Sequence, residues 1–179
     1  RLVVVLLTVL AVVYAAVVVL LWWQQDRLVF AGAGRGDRPL DAYGVHPVQL
    51  ASRDGLPFRA AECVPDRPQA LVLHFVGNGE TLSSAGRRAE ELAAYGVAVV
   101  SPEYPGYGLS PGQPSVESLM ATADAAADYA ERRARELGVP FVVSGSSLGT
   151  FCAVHIAAQG RATRLLLRAP PTTMVEAAQ

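Results

Sequence analysis

Phe141-Val142-Val143-Ser144-Gly145-Ser146-Ser147-Leu148-Gly149-Thr150-Phe151-Cys152 is the stretch that decides the fold. Phe141 to Ser144 reads as a short buried strand. It runs without a spacer into Gly145-Ser146-Ser147-Leu148-Gly149, a G-x-S-x-G pattern, and a helix-forming segment from Leu148 to Gln159 follows and stops at Gly160. A strand that turns directly into a helix forces the residue at the apex into a strained conformation. Glycines two before and two after that residue remove the Cβ atoms that would collide where strand and helix come close. Ser147 occupies the apex, which makes it the candidate nucleophile; a helix N-cap or plain turn serine is the alternative role. The Leu148 amide lies at the start of the helix, where the dipole favours negative charge, and is a candidate donor to a developing oxyanion.

Working back from this motif, the chain alternates between short apolar runs and helical spacing. Val48 to Ala51 and Leu56 to Cys63 flank Arg53-Asp54-Gly55, whose Asp-Gly supplies the positive φ of a tight turn, so a hairpin is expected. Ala70 to Phe75 reads as a strand, Ser83 to Tyr95 as a helix ending at Gly96, and Val97 to Ser101 as another strand. Ser115 can cap a long helix to Leu137, with Gly138 at its C′ position and Pro140 barring continuation, and Leu165 to Leu167 reads as a last strand. Alternating buried strands and helices predict an α/β fold, a mostly parallel sheet covered on both faces. In the loop after the third strand, Val76-Gly77-Asn78-Gly79-Glu80, two glycines let the backbone approach a substrate oxygen. The Asn78 amide is the candidate second oxyanion donor; a plain Gly-rich turn is the alternative. Glu103 to Gly112 follows the fourth strand and is too rigid and aromatic for a spacer. It is read either as a ligand-edge loop or as an ordered loop with packed tyrosines.

The N-terminus is of another kind. Leu2 to Trp23 holds 22 residues without a charge, with only Thr8 and Tyr14 polar, and contributes much of the 51% apolar content of the 179-residue chain. As a helix it would span about 33 Å, enough for a hydrocarbon core of roughly 30 Å. Trp22 and Trp23 followed by Gln24, Gln25, Asp26 and Arg27 place amphipathic rings and then charge at the exit. A cleaved signal would have a shorter apolar region ending at a small-residue cleavage site, so a single-pass anchor is expected. Arg1 favours an N-terminus inside and a domain on the extracytoplasmic side. Residues 31 to 46 read as a linker. Beyond the apolar run, 14 Arg face 16 Asp and Glu with no basic cluster, which argues against nucleic acid as a partner. Cys63 and Cys152 are too few for a disulfide framework.

Over about residues 20 to 175 the chain resembles the α/β-hydrolases, and more narrowly their membrane-anchored BEM46 and ABHD17-like branch. The resemblance rests on the anchor followed by Gln25-Asp26-Arg27-Leu28-Val29-Phe30 and on Gly77-Asn78-Gly79. It rests further on Tyr104-Pro105-Gly106-Tyr107-Gly108-Leu109-Ser110 with Gly112 and Pro114-Ser115, and on Gly145 to Thr150. It implies a Ser-His-Asp hydrolase acting on esters or thioesters, with Ser147 as nucleophile and the Asn78 and Leu148 amides as oxyanion donors. Where the family usually has a histidine that helps hold the loop before the Asn, this chain has Val76.

A serine hydroxyl needs a base and a carboxylate that orients it. His46 reads as lying before the sheet, His74 as packed inside the third strand, and His155 is eight residues beyond Ser147 on one helix, about 12 Å along its axis. Glu176 is the only acid after Ser147. The acid and histidine are therefore expected outside this chain. The sequence is expected to end inside its domain, with roughly 80 to 120 further residues supplying two strand-helix units, an Asp and a His. The organisation expected is an anchor over 1–24, a linker over 25–46 and the N-terminal part of the hydrolase domain over 47–179. The expected chemistry is an acyl-enzyme on Ser147, without metal or organic cofactor, formed from a small-molecule or lipid-like acyl ester; by itself the chain given would be inactive. The rival expectation is a non-catalytic membrane scaffold or binding module.

Overall fold

The computed structural model describes residues 1–40 and 42–171. Its elements in chain order are α1 (Leu2–Val29), β1 (Val45–Ala51), β2 (Pro57–Cys63), β3 (Ala70–Phe75), α2 (Leu82–Ala93), β4 (Val97–Pro102), α3 (Val116–Leu137), β5 (Phe141–Ser146), α4 (Gly149–Ala158) and β6 (Arg164–Arg168). The sheet order is β1-β2-β4-β3-β5-β6. The β1–β2 hairpin and the β2–β4 pair are antiparallel, while β3 pairs in parallel with both β4 and β5, and β5 with β6. Gly55, with φ 83°, makes the hairpin turn expected of Asp54-Gly55. β1 starts at Val45 and includes Pro47, a residue tolerated because this strand lies at the edge of the sheet.

Two packed layers result. Leu82 and Ala89 of α2 cover one face against Val45, Ala61, Cys63 and Val99. Leu119 and the alanines of α3, with Cys152, Ala153 and Ile156 of α4, pack in the cluster that also buries Leu71, Leu73, Phe75 and Val143. Small side chains at Ala123, Ala126, Ala127, Ala130 and Ala134 let α3 lie close to the sheet. Ser115 caps this helix in a reciprocal box with Ser118, and Gly138 ends it at φ 68°, both as the sequence implies. Thr81 and Ser84 form the same box on α2.

The order β4-β3-β5 places the site. From β3 the chain passes through α2 to β4 on one side, then through α3 across to β5 on the other, so the carboxyl end of β3 is a topological switch point. The loops leaving β3 and β5 diverge there onto opposite faces and leave a crevice between them.

The apolar N-terminal run forms one continuous helix, α1, six residues longer than the run itself and ending at Val29. It is long and apolar enough to cross a membrane, and none of its residues is buried in the protein. Its end does not lead into a free tether: Phe30 is buried in the core, and the Gly34 N–H donates to the Gly106 carbonyl at 2.8 Å.

Candidate active site

Ser147 sits between β5 and α4 with φ 47°, one of two residues other than glycine with positive φ among those described. This left-handed backbone costs about 1–2 kcal/mol for a residue with a Cβ. Two close approaches fix the turn. A Cβ on Gly145 would collide with the Gly149 carbonyl, and one on Gly149 with the backbone of Phe75 and Val76 at the end of β3. The turn is pinned by the Ser147 N–H donating to the Arg168 carbonyl at 2.9 Å, and by the Thr150 N–H and hydroxyl donating to the Ser147 carbonyl at 2.9 and 2.6 Å.

Three serines lie close together, and their hydroxyls differ. Ser144 Oγ is hydrogen-bonded to His74 Nδ1 at 2.7 Å on the sheet face, and buried Ser146 accepts from Arg168 Nε at 3.0 Å. Ser147 Oγ has no partner among the described residues. It lies in an open depression lined by Gly77, Asn78, Gly79, Glu80, Ser146, Arg168 and Ala169. Gly77 packs against the turn: a Cβ there would make ordinary contact with Ser147 Cβ, at 3.6 Å. The β3 loop and the β5 turn, 70 residues apart in sequence, thus meet where the topology opens the crevice. Neither the Asn78 nor the Leu148 backbone N–H has an acceptor among the described residues. The Leu148 side chain is fully buried.

The β3 loop is held from below by two packed tyrosines of the Glu103 to Gly112 segment. Tyr104 Oη donates to the Val76 carbonyl at 2.8 Å and Tyr107 Oη to Asn78 Oδ1 at 2.6 Å, and the two rings meet edge to face at 5.5 Å. Burial pushes both phenols well above their ordinary range, so they stay protonated donors. On the other side Glu80 Oε2 accepts the Gly77 N–H at 2.6 Å, and Oε1 accepts from Arg88 and Arg168 at 3.3 and 3.1 Å. Arg168, Glu80 and the tyrosine contacts are not visible in any local pattern; only the aromatic, Gly/Pro-rich character of the Tyr104 segment marked it as ordered.

None of the three histidines is at the site. His46 lies in edge strand β1, opposite Glu62, rather than in a leader before the sheet, and three strands separate β1 from β5. His74 is buried within β3; burial lowers its imidazole to about 4, so it is neutral. His155 is bound to Asp124 of α3 at 3.0 Å. Glu176 lies outside the described residues.

The model of the Hydrolase_4 family, described as serine aminopeptidase, S33, matches residues 66–177. A sheet switching at β3, with a strained serine at the β5–α4 turn, has the architecture of an α/β-hydrolase, and the chain belongs to that S33 family within the α/β-hydrolase superfamily. An uncharacterised protein of Mycobacterium tuberculosis, Rv2307c, is 34% identical over 109 residues, 61% of this chain and 38% of that protein. The chain thus spans less than half the length of the curated relatives it matches. Among solved structures, a serine hydrolase without a lid from Xanthomonas campestris superposes with a TM-score of 0.57 at 22% identity, over 75% of this chain and 65% of that one. A Saccharomyces cerevisiae monoglyceride lipase, as a soluble variant with a substrate analogue, gives 0.65 at 16% identity over 78% and 49%. A Pyrococcus furiosus esterase gives 0.64 at 14% over 79% and 60%.

Proposed function

We propose that this chain carries the nucleophile of a membrane-tethered serine hydrolase that cleaves carboxylic esters or thioesters through an acyl-enzyme on Ser147. The observation that carries the reading is the positive φ of Ser147 at a strand-to-helix turn whose flanking glycines admit no Cβ. Ser147 Oγ attacks the acyl carbonyl carbon and passes its proton to a histidine. The oxyanion takes hydrogen bonds from the free Asn78 and Leu148 amides, the alcohol or thiol leaves with the proton, and water releases the acid. In this reading the histidine comes from outside the described residues, because His46 lies on the far edge strand, His74 is buried against Ser144 and His155 is bound to Asp124. The anchored branch of the superfamily is the subgroup this reading favours, with α1 as a single-pass anchor, residues 25–46 as the connection and the catalytic domain on the extracytoplasmic side. A membrane setting suits a lipid-like acyl ester, since Val29, the last residue of α1, is in direct contact with Asn78.

A fluorophosphonate probe on the full-length protein tests the nucleophile. Ser147→Ala should abolish labelling and Ser146→Ala should retain it. Full labelling of Ser147→Ala would refute the assignment and leave a non-catalytic scaffold as the better reading. Carbonate washing of native membranes tests the anchor: the protein should stay in the pellet, and release of intact protein would refute tethering by α1.

A further inference from the structure

The side chain of Asn78 faces away from the chemistry that its backbone serves. Its Oδ1 accepts the Gly32 N–H at 3.1 Å as well as the Tyr107 hydroxyl, and its Nδ2 donates to the Val29 carbonyl at 2.6 Å. Val29 ends α1, and its carbonyl is one of the last carbonyls of that helix, which have no partner within it. The Asn78 side-chain amide therefore closes the C-terminal end of α1, while the same residue lines the depression at Ser147. The approach is close enough to require glycine on the other side. Gly32 is buried, and a Cβ there would run into the Asn78 carbonyl and the Tyr107 ring, although its φ is not one that excludes side chains. Gly36, four residues on, has open space around it and shows that the constraint is local to Gly32.

We infer that Asn78 is a positioning residue: its side chain clasps the loop bordering Ser147 to the last turn of α1, so that the end of the apolar helix is part of the catalytic geometry and not only a tether. This rests on the hydrolase reading, in which the Asn78 N–H is an oxyanion donor. Such a donor acts only if it is fixed where charge develops before the reaction begins. The Gly77-Asn78-Gly79 backbone is intrinsically permissive, and the clasp supplies the rigidity that its glycines remove. A loop freed from α1 would still admit substrate but would hold the oxyanion poorly, so kcat should fall with little change in KM.

The test uses the full-length protein in detergent, with sites counted by fluorophosphonate titration and Ser147→Ala as background. Asn78→Ala and Gly32→Ala should each lower kcat per titrated site by about 10-fold or more, against the 10²–10³-fold typical for outright loss of a donor. KM should stay within about 3-fold, and the double variant should be no worse than the poorer single one, because both break one clasp. Tyr107→Phe, which keeps the ring, should show a smaller fall in kcat, and Gly36→Ala none. Hydrogen exchange of the Gly77 and Glu80 amides, both bonded inside the loop, should quicken in Gly32→Ala. An effect on melting temperature alone, with kcat per site unchanged in both Asn78→Ala and Gly32→Ala, would overturn the inference. Should the full-length protein show no Ser147-dependent turnover, the hydrolase reading falls and exchange decides the clasp by itself: equal rates in wild type and Gly32→Ala overturn it, faster rates in the variant uphold it.

Discussion

Ser147→Gly should give a more stable protein than Ser147→Ala, although both should be inactive. At φ 47° any residue with a Cβ crowds its own carbonyl, which costs about 1–2 kcal/mol, and glycine escapes that cost. Against this, glycine loses about 0.4–1 kcal/mol more conformational entropy on folding than alanine. The difference leaves the glycine variant ahead by about 1 kcal/mol. The comparison is clean because Ser147 Oγ makes no hydrogen bond among the described residues, so neither replacement breaks one, and the Ser147 N–H and carbonyl bonds persist in both. In a chain of this size 1 kcal/mol corresponds to about 2–4 °C in melting temperature. Thermal unfolding of the detergent-solubilised full-length protein, followed by near-UV circular dichroism, reads the shift, and fluorophosphonate labelling confirms loss of the nucleophile. Equal melting temperatures, or a glycine variant below the alanine one, would refute the claim that the fold stores strain at this serine.

Gly149→Ala drives a Cβ into the backbone of Phe75 and Val76 and should cost about 3 kcal/mol or more in denaturant unfolding; a loss below about 1 kcal/mol would contradict the packing described. Tyr104→Phe strips the Val76 carbonyl of its buried donor and should cost about 1–2 kcal/mol, read as a lowered melting temperature. Burial holds the His74 imidazole down to about 4 from an ordinary 6.5, so between these values the unfolded chain binds a proton that the folded one refuses. Stability from neutral His74 is therefore whole above pH 6.5 and falls as the pH drops towards 4, by about 1.4 kcal/mol per unit and about 3 kcal/mol in all. His74→Gln should remove that slope from melts across the window, and parallel slopes in variant and wild type would show that another group is responsible.

What could be read from the chain alone was local. The period of the apolar runs, the Ser115 cap, Gly138 and Gly55 each act within a few residues, so their strand, helix and turn were legible without a partner, as was the strained turn at Ser147. The length of the apolar N-terminal run, long enough to cross a membrane, was equally plain. The tertiary structure decided everything that depends on which segments meet. Only the order β4-β3-β5 brings Gly77 against Ser147 across 70 residues of sequence, and only packing shows that Tyr104, Tyr107 and the end of α1 hold the Asn78 loop. The local pattern at His46 belongs to the Gly-rich stretch before Val48, yet pairing along the full β1–β2 register carries the strand back to Val45 and takes in Pro47 at a sheet edge. The glycine at position 32 looked like one of several in a linker. Its necessity comes from a backbone 46 residues away, and no pattern confined to its own neighbourhood could carry that information.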